Sequence, residues 1–279
     1  MDNSISFRWL GVAGTELRVD NRTLVIDPYF TRISMWSSWF GRVEPDHRLI
    51  ADKLQECDLV LITHAHFDHI MDVPDVANNT GATALGSPNA CRLLSVCGVP
   101  EERIRKIKTG DKIDLNGFEV TAFPAVHMKT PGFSPGPLSP ALQPPLKARD
   151  YRMDDDFSFL ISIGEYRLLT DPGERPLGIV PADILFVFPF RNYTYYQALL
   201  SQVQPRVVIP THWDDFFRPL SKPLRPTYHP PRWAVPPVRR INLTEFNTMI
   251  KQIAPRTRVI IPEIFHTYDI TELTDSLKW

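Results

Sequence analysis

The chain has 279 residues, 43% of them hydrophobic, so it can bury a sizeable core as one large domain or two small ones. Its 31 basic and 32 acidic residues leave a formal charge of −1, which removes any global positive excess for gripping a polyanion. No apolar run approaches the ~20 residues needed to span a bilayer, Met1-Asp2-Asn3-Ser4 lacks the marks of a signal peptide, and the odd, sparse set Cys57, Cys91 and Cys97 fits a reducing compartment, so a cytoplasmic location is expected.

Ile5 to Gly11, Thr15 to Val19 and Thr23 to Asp27 read as strands of a meander. His47 to Cys57 carries Leu49, Ile50 and Leu54 at helical spacing. Leu59 to Thr63 is short and continuously apolar, as expected inside a sheet covered on both faces. Ser87-Pro88 opens a helix that Gly98 and Pro100 close; Cys91 and Cys97 face different sides of it and read as small core residues. Lys112 to Leu115 and Phe118 to Val126 form a hairpin around Asn116-Gly117. Phe157 to Ile163 and Tyr166 to Thr170 form another around Gly164-Glu165. Ile184 to Phe188 is a strand, and Tyr193 to Gln204 is a helix ended by Pro205. Leu243, Phe246, Met249, Ile250 and Ile253 mark one face of a helix, and Val259 to Ile261 is the last strand.

Proline, with 27 residues, concentrates between Pro131 and Pro145 and between Pro219 and Pro237. Neither stretch can be regular helix or central strand. Each follows a candidate ligand, His127 or His212, and each carries aromatics. Both are therefore read as ordered loops walling a pocket, at about 128–150 and 219–240, rather than as disordered linkers.

The most informative stretch is Thr63-His-Ala-His-Phe-Asp-His69, at the exit of the apolar strand. Burying four such side chains unpaired would be costly, so packing is a poor explanation for them. Neutral imidazoles and a carboxylate suit Zn, Mn or Fe. His64 and His66 point the same way in extended chain, and His69 requires a turn, a spacing able to serve two neighbouring ions. Later strand ends supply His127 after Phe118–Val126, Asp171 after Tyr166–Thr170, and His212 after Arg206–Thr211. Two short echoes accompany them. Leu24-Val-Ile-Asp-Pro28 resembles Leu168-Leu-Thr-Asp-Pro172, and Leu59–His64 resembles Val207–His212, as two related halves would leave behind.

The motif His64-x-His66-x-Asp68-His69, with His127, Asp171 and His212 in order, resembles the metal signature of the metallo-β-lactamase-fold hydrolases over roughly residues 4 to 265. Within that superfamily, Leu24–Pro28 and Thr211-His212-Trp213 look closest to the ascorbate-phosphate lactonase and N-acyl phosphatidylethanolamine phospholipase D group. The resemblance implies an α/β fold: a single-domain, four-layer αββα sandwich of two mixed β-sheets with the metals at a shared edge. It also implies ligand roles. His64, His66 and His127 would hold a first divalent ion, Asp68, His69 and His212 a second, and Asp171 would bridge them. The implied chemistry is hydrolysis of a phosphodiester, lactone or carboxylic ester of a small molecule by a metal-bridging hydroxide, with zinc or manganese expected and iron an option. Asp68 then carries catalysis as well as metal binding.

Around these ligands, Asp27 is expected to hydrogen-bond a ligand imidazole or the ligand loop, and Thr63 and Thr211 to fix loop backbone. Asp214 and Asp215 read as solvated or loop-capping carboxylates. His229 and His266 are candidate proton donors to the leaving group, against the more common structural or exposed role. The aromatic stretch Ile33–Gly41 either packs on the body, lines a pocket or makes a contact between copies in a homo-oligomer. With Phe133, Trp213, Phe216, Phe217 and Trp233 it can make an apolar vestibule. Arg149, Arg152 and Arg191 are candidates for holding a phosphate or carboxylate, beside the commoner solvated role.

Three other readings compete. A nuclease similar to tRNA-processing phosphodiesterases shares the motif, but balanced charge and the lack of an evident RNA-gripping insertion oppose it, so no nucleic-acid partner is expected. A di-iron redox module usually carries Glu where His66 stands. A non-catalytic scaffold predicts lost ligands, and none is lost.

Overall fold

The computed structural model describes residues 5–115, 117–128, 135–176, 178–228 and 239–275. In chain order the strands are β1 (Ile5–Gly11), β2 (Gly14–Val19), β3 (Arg22–Ile26), β4 (Leu59–Leu61), β5 (Thr83–Gly86), β6 (Ile104–Lys106), β7 (Lys112–Asp114), β8 (Glu119–Pro124), β9 (Phe157–Ile163), β10 (Tyr166–Leu169), β11 (Ile184–Val187), β12 (Val207–Pro210), β13 (Arg258–Val259) and β14 (Thr267–Asp269). The helices are α1 (Met35–Phe40), α2 (His47–Lys53), α3 (Phe67–Ile70), α4 (Val73–Thr80), α5 (Pro88–Val96), α6 (Tyr193–Val203), α7 (Leu243–Ile253) and α8 (Ile270–Asp275). None of them is long and apolar enough to cross a membrane.

The strands form two mixed seven-stranded sheets, β14-β1-β2-β3-β4-β5-β6 and β13-β12-β11-β10-β9-β8-β7. The two sheets share one plan. In the first, β14, β1, β2 and β3 pair antiparallel, then β4, β5 and β6 follow in parallel. In the second, β7 to β10 pair antiparallel, then β11, β12 and β13 follow in parallel. By this plan β3 is the counterpart of β10, so the echo between Leu24–Pro28 and Leu168–Pro172 falls on equivalent strand ends. The other echo does not, because β4 corresponds to β11 and β12 to β5.

Adjacent residues of the short central strands face different cores, which is why these strands are continuously apolar. Val60, Val25 and Ala84 pack outward against Ile50, Phe67, Val76 and Leu94 of the helices α2 to α5. Leu61, Leu24 and Leu85 pack inward against Phe159, Leu168, Ile184 and Ile209 of the other sheet. Leu169, Leu185 and Val208 cover Tyr196, Leu199 and Phe246 of α6 and α7. The order is helices, sheet, sheet, helices, the expected αββα sandwich.

Some elements carry weak sequence signals. β5 is Thr-Ala-Leu-Gly, too small and short for a periodic pattern, and β6 has exposed Arg105 and Lys106. The last strand is β14, not Val259–Ile261: β13 is two residues long, and the chain returns to pair antiparallel with β1. Ile33–Gly41 forms α1, capped by Ser34, with Trp36 and Phe40 exposed and 4.5 Å apart. Of the Asn116-Gly117 turn, Asn116 lies outside the described residues, as do Phe133, His229 and Trp233. Residues 129–134 of the first proline-rich loop also lie outside the described residues. Among its described residues, Leu138, Leu142 and Leu146 join the outer core with α2 to α5, while Met128 lines the pocket.

Candidate metal centre

β4 runs between β3 and β5 and delivers Ile62 to His69 to the sheet edge. What shapes the turn is Asp27, just past the end of β3. Its fully buried carboxylate accepts Thr63 N at 2.8 Å, Thr63 Oγ1 at 2.5 Å and His69 Nδ1 at 2.8 Å. An ionised carboxylate only accepts, so His69 donates through Nδ1 and presents Nε2. His66 precedes the short α3, whose first turn carries Asp68 and His69. His127 follows β8 and donates Nδ1 to Met128 O at 2.6 Å, which also leaves Nε2 forward. His212 follows β12 with a φ of 55°, held by its amide donating to Val12 O at 2.7 Å. Asp27 is left-handed too, at 45°. Such backbone is uncommon away from glycine and here turns both residues into the site.

Two groups result. The donor atoms of His64, His66 and His127 lie within 4.8 Å of one another, and so do those of Asp68, His69 and His212. The first three rings stand 4.6 to 4.7 Å apart, steeply inclined to one another, as donors around a single point must be. In the second group Asp68 Oδ2 is 3.3 Å from His212 Nε2 and 3.8 Å from His69 Nε2. The two groups abut, with the His64 and His69 rings 3.9 Å apart.

The electrostatics suit metal binding. Burial, then neighbouring histidines, pushes His64 well down. Burial and then His127 push His66 down to about 3; burial likewise pushes His127 down to about 4. All three are therefore neutral ligands at pH 7. Burial opposes charge on His69, but Asp27 and then Asp68 overcome it and raise the ring to about 9. Burial would raise Asp68 as well; His69 and then His212 hold it well below the ordinary carboxylate range. His64 Nε2 is buried with no hydrogen-bond partner. An orphaned imidazole nitrogen facing two others, beside an ionised carboxylate, is the donor set a first-row divalent ion takes. The residues fit the group.

Asp171 lies in the same pocket but in neither cluster. Its Oδ2 accepts Phe188 N at 2.5 Å and Arg191 Nη1 at 2.7 Å, and its Oδ1 accepts Gly173 N at 2.7 Å. Asp156, which the sequence reading missed, places Oδ1 3.4 Å from His64 Nδ1. Burial, opposed by His69 but reinforced by Asp171 and Asp27, pushes its carboxyl up to about 8.

The pocket encloses about 360 Å³ over both groups, and Phe188, Phe216, Phe217, Met35 and Met128 supply apolar wall. Several expectations fail here. His266 lies away from the pocket: it is exposed, packs edge-on against Tyr268 at 4.6 Å beside β14, and is not among the lining residues. Neither Arg149 nor Arg152 lines it, whereas Arg191 does. Trp213 is buried against Trp9 at 5.2 Å instead of facing the vestibule. Asp214 is not solvated. It is fully buried, pairs with the equally buried Arg32 at 2.7 Å and accepts Val12 N at 2.9 Å. Asp215 does cap its loop, accepting Phe217 N at 3.2 Å and Arg225 Nε at 2.9 Å. From the second proline-rich stretch, Arg225, Thr227 and Tyr228 line the pocket.

Two face-to-face mixed sheets, flanking helices and clustered His and Asp side chains at their shared edge define a metallo-β-lactamase fold. Comparison with known proteins agrees. The beta-lactamase superfamily domain matches residues 22–142, which include five of the six clustered residues but neither Asp171 nor His212. A UPF0173 metal-dependent hydrolase of Caldivirga maquilingensis is 24% identical over 258 residues, 91% of this chain and 93% of that protein. Another, of Methanopyrus kandleri, is 31% identical over 119 residues, which is 43% of this chain and 46% of that protein. The structure of Igni18, a metallo hydrolase of Ignicoccus hospitalis, superposes with a TM-score of 0.62 at 17% identity, covering 95% of this chain and 97% of that one. Residues 22–142 thus resemble the beta-lactamase superfamily domain, the whole chain has its fold, and the similar proteins are named metal-dependent hydrolases.

Proposed function

We propose that this chain is a two-metal hydrolase that cleaves an ester-type bond, phosphodiester, lactone or carboxylic ester, in a small molecule. The observation that carries this reading is the abutment of two three-donor groups on one pocket wall. Divalent ions held there, zinc or manganese before iron, would supply Lewis acidity and an activated water at neutral pH. His64, His66 and His127 contribute neutral nitrogen; Asp68 and Asp171 contribute negative charge. Asp27 sets the direction of His69, and the phenylalanine walls exclude bulk water. Because the ligands come from both sheets, the whole chain works as one domain. Leu24–Pro28 and Thr211–Trp213, which carry the resemblance to the lactonase and phospholipase D group, both lie beside the centre and keep that kinship within the proposal.

Metal analysis with a panel of phosphodiester, lactone and thioester substrates tests the reading: about two ions per chain and turnover of one ester class are expected. Asp68→Asn should lower kcat at least about 100-fold and release the second ion, since ligand loss exceeds the effect of removing a supporting hydrogen bond. Unchanged turnover in that variant would refute the assignment. Chelation should also lower the thermal midpoint, because ligands from both sheets then lose their common partner.

A further inference from the structure

Arg191 is a charged side chain of the pocket whose role the metal centre leaves unexplained. Its side chain is only 9% exposed, and its guanidinium lies 5.1 and 4.8 Å from the ring centroids of Phe190 and Tyr195. A guanidinium has five donor hydrogens in a fixed fork. One goes to Asp171. Nε is buried without a partner, and no hydrogen bond from Nη2 is seen among the described residues. Asp171, in turn, is already served by two backbone amides. The fork is thus held rigid by two rings and one carboxylate, at the pocket wall, with donors to spare. Nε is sealed off, but Nη2 is not among the buried atoms and is the donor left for an incoming acceptor. Across the pocket, Arg225 spends both Nε and Nη2 on Asp215, so it has far less to offer an incoming anion. Away from the metal ligands and these two arginines, Phe188, Phe216, Phe217, Met35 and Met128 supply apolar wall.

We propose that Arg191 is the anion anchor of the substrate: the pocket takes an ester with an apolar skeleton and an oxyanion, carboxylate or phosphate, placed to meet this guanidinium. The inference rests on the hydrolase reading and supplies its substrate class. An apolar skeleton lies along Phe188, Phe216 and Phe217, while the oxyanion fixes which bond stands over the metal centre. Arg191 is a specificity residue that also steadies Asp171, and these two roles separate experimentally.

Calorimetric titration of the metal-loaded protein with hexanoate, hexyl phosphate and hexanamide reads anion recognition without turnover. The metal-loaded parent should bind one of the two anions at least tenfold more tightly than the amide, and which anion wins identifies the source of the oxyanion. In Arg191→Met that preference should fall at least tenfold, and Arg191→Lys should restore part of it. Metal content should stay at the parent level in both. An anion preference that survives in Arg191→Met overturns the proposal, and so does its loss only together with the metal, which would leave Arg191 a support for Asp171. Failure of the parent to cleave any ester, with the Arg191-dependent preference intact, would instead sink the hydrolase reading.

Discussion

Arg32→Met should destabilise the protein by about 3–5 kcal/mol, the cost of leaving one member of a buried ion pair without its partner. Arg32 and Asp214 are both fully buried and stand 2.7 Å apart. The pair joins the loop after β3 to the loop after β12, so it clasps the two sheets beside the second donor group. Asp214 also accepts Val12 N, and the neighbouring carbonyl, Val12 O, accepts both His212 N and Trp9 Nε1. Removing the guanidinium strands Asp214 in an apolar setting and loosens the backbone that aims His212. The site is built around Arg32. Gly11 has a φ of 92°, and a Cβ there would run into the Arg32 guanidinium, so Gly11→Ala combines strain with eviction of the same side chain. Denaturant midpoints measure both variants. Because charge without a partner carries the cost, Arg32→Met combined with Asp214→Leu should recover much of the loss, short of what the Val12 amide gives up. An Arg32→Met variant within 1 kcal/mol of the parent, against an expectation of about 3–5, would show that the pair is not a clasp.

This clasp marks the boundary of what could be read in the amino-acid order. Leu59-Val60-Leu61 announces a strand covered on both faces because its alternate residues enter two different cores. The His64–His69 segment announces a site because nothing but ligation makes four such side chains affordable at a strand exit. Asp27 was legible by its place after an apolar strand and before Pro28, and its three accepted hydrogen bonds give that place a function. Arg32 and Asp214 were not legible, since a charged residue in a loop reads as solvated until topology brings a distant partner to it. Asp156 closes the run Asp154-Asp155-Asp156, and nothing in the run separates it from two exposed neighbours; only the β8–β9 pairing turns it toward His64. His266 failed for the opposite reason. Following a strand, it looked like the other strand-end histidines, but β14 sits at the outer edge of its sheet. Edge strands such as β6 and β14 are short and polar, and their pairing is decided by neighbours rather than by their own pattern.

Asp27→Asn should weaken binding of the second ion by about 10–100-fold, the usual cost of removing a partner that orients a ligand imidazole. The amide keeps the shape of the carboxylate but loses its charge, and it cannot accept from Thr63 N, Thr63 Oγ1 and His69 Nδ1 together. The substitution also reverses a pH dependence in the metal-free protein. With Asp27 present, His69 titrates near 9 when folded, above the ordinary histidine value of 6.5. The folded state then holds the proton more tightly, so this group's stabilisation is complete below about pH 6.5 and is lost as pH rises through about 9. Without the carboxylate that contributes most to the rise, burial prevails and drives the His69 value down. The variant's contribution from this residue is then lost on acidification below about pH 6.5. Asp156 titrates in the alkaline part of the same window and itself feels both Asp27 and His69, so the His69 resonance, rather than the stability curves, isolates His69. Histidine NMR titration of both metal-free proteins, with denaturation midpoints at pH 6 and pH 9, measures the reversal. A His69 resonance that still titrates near 9 in Asp27→Asn would mean that Asp68 alone holds the proton there, and that Asp27 shapes the loop without tuning the ligand.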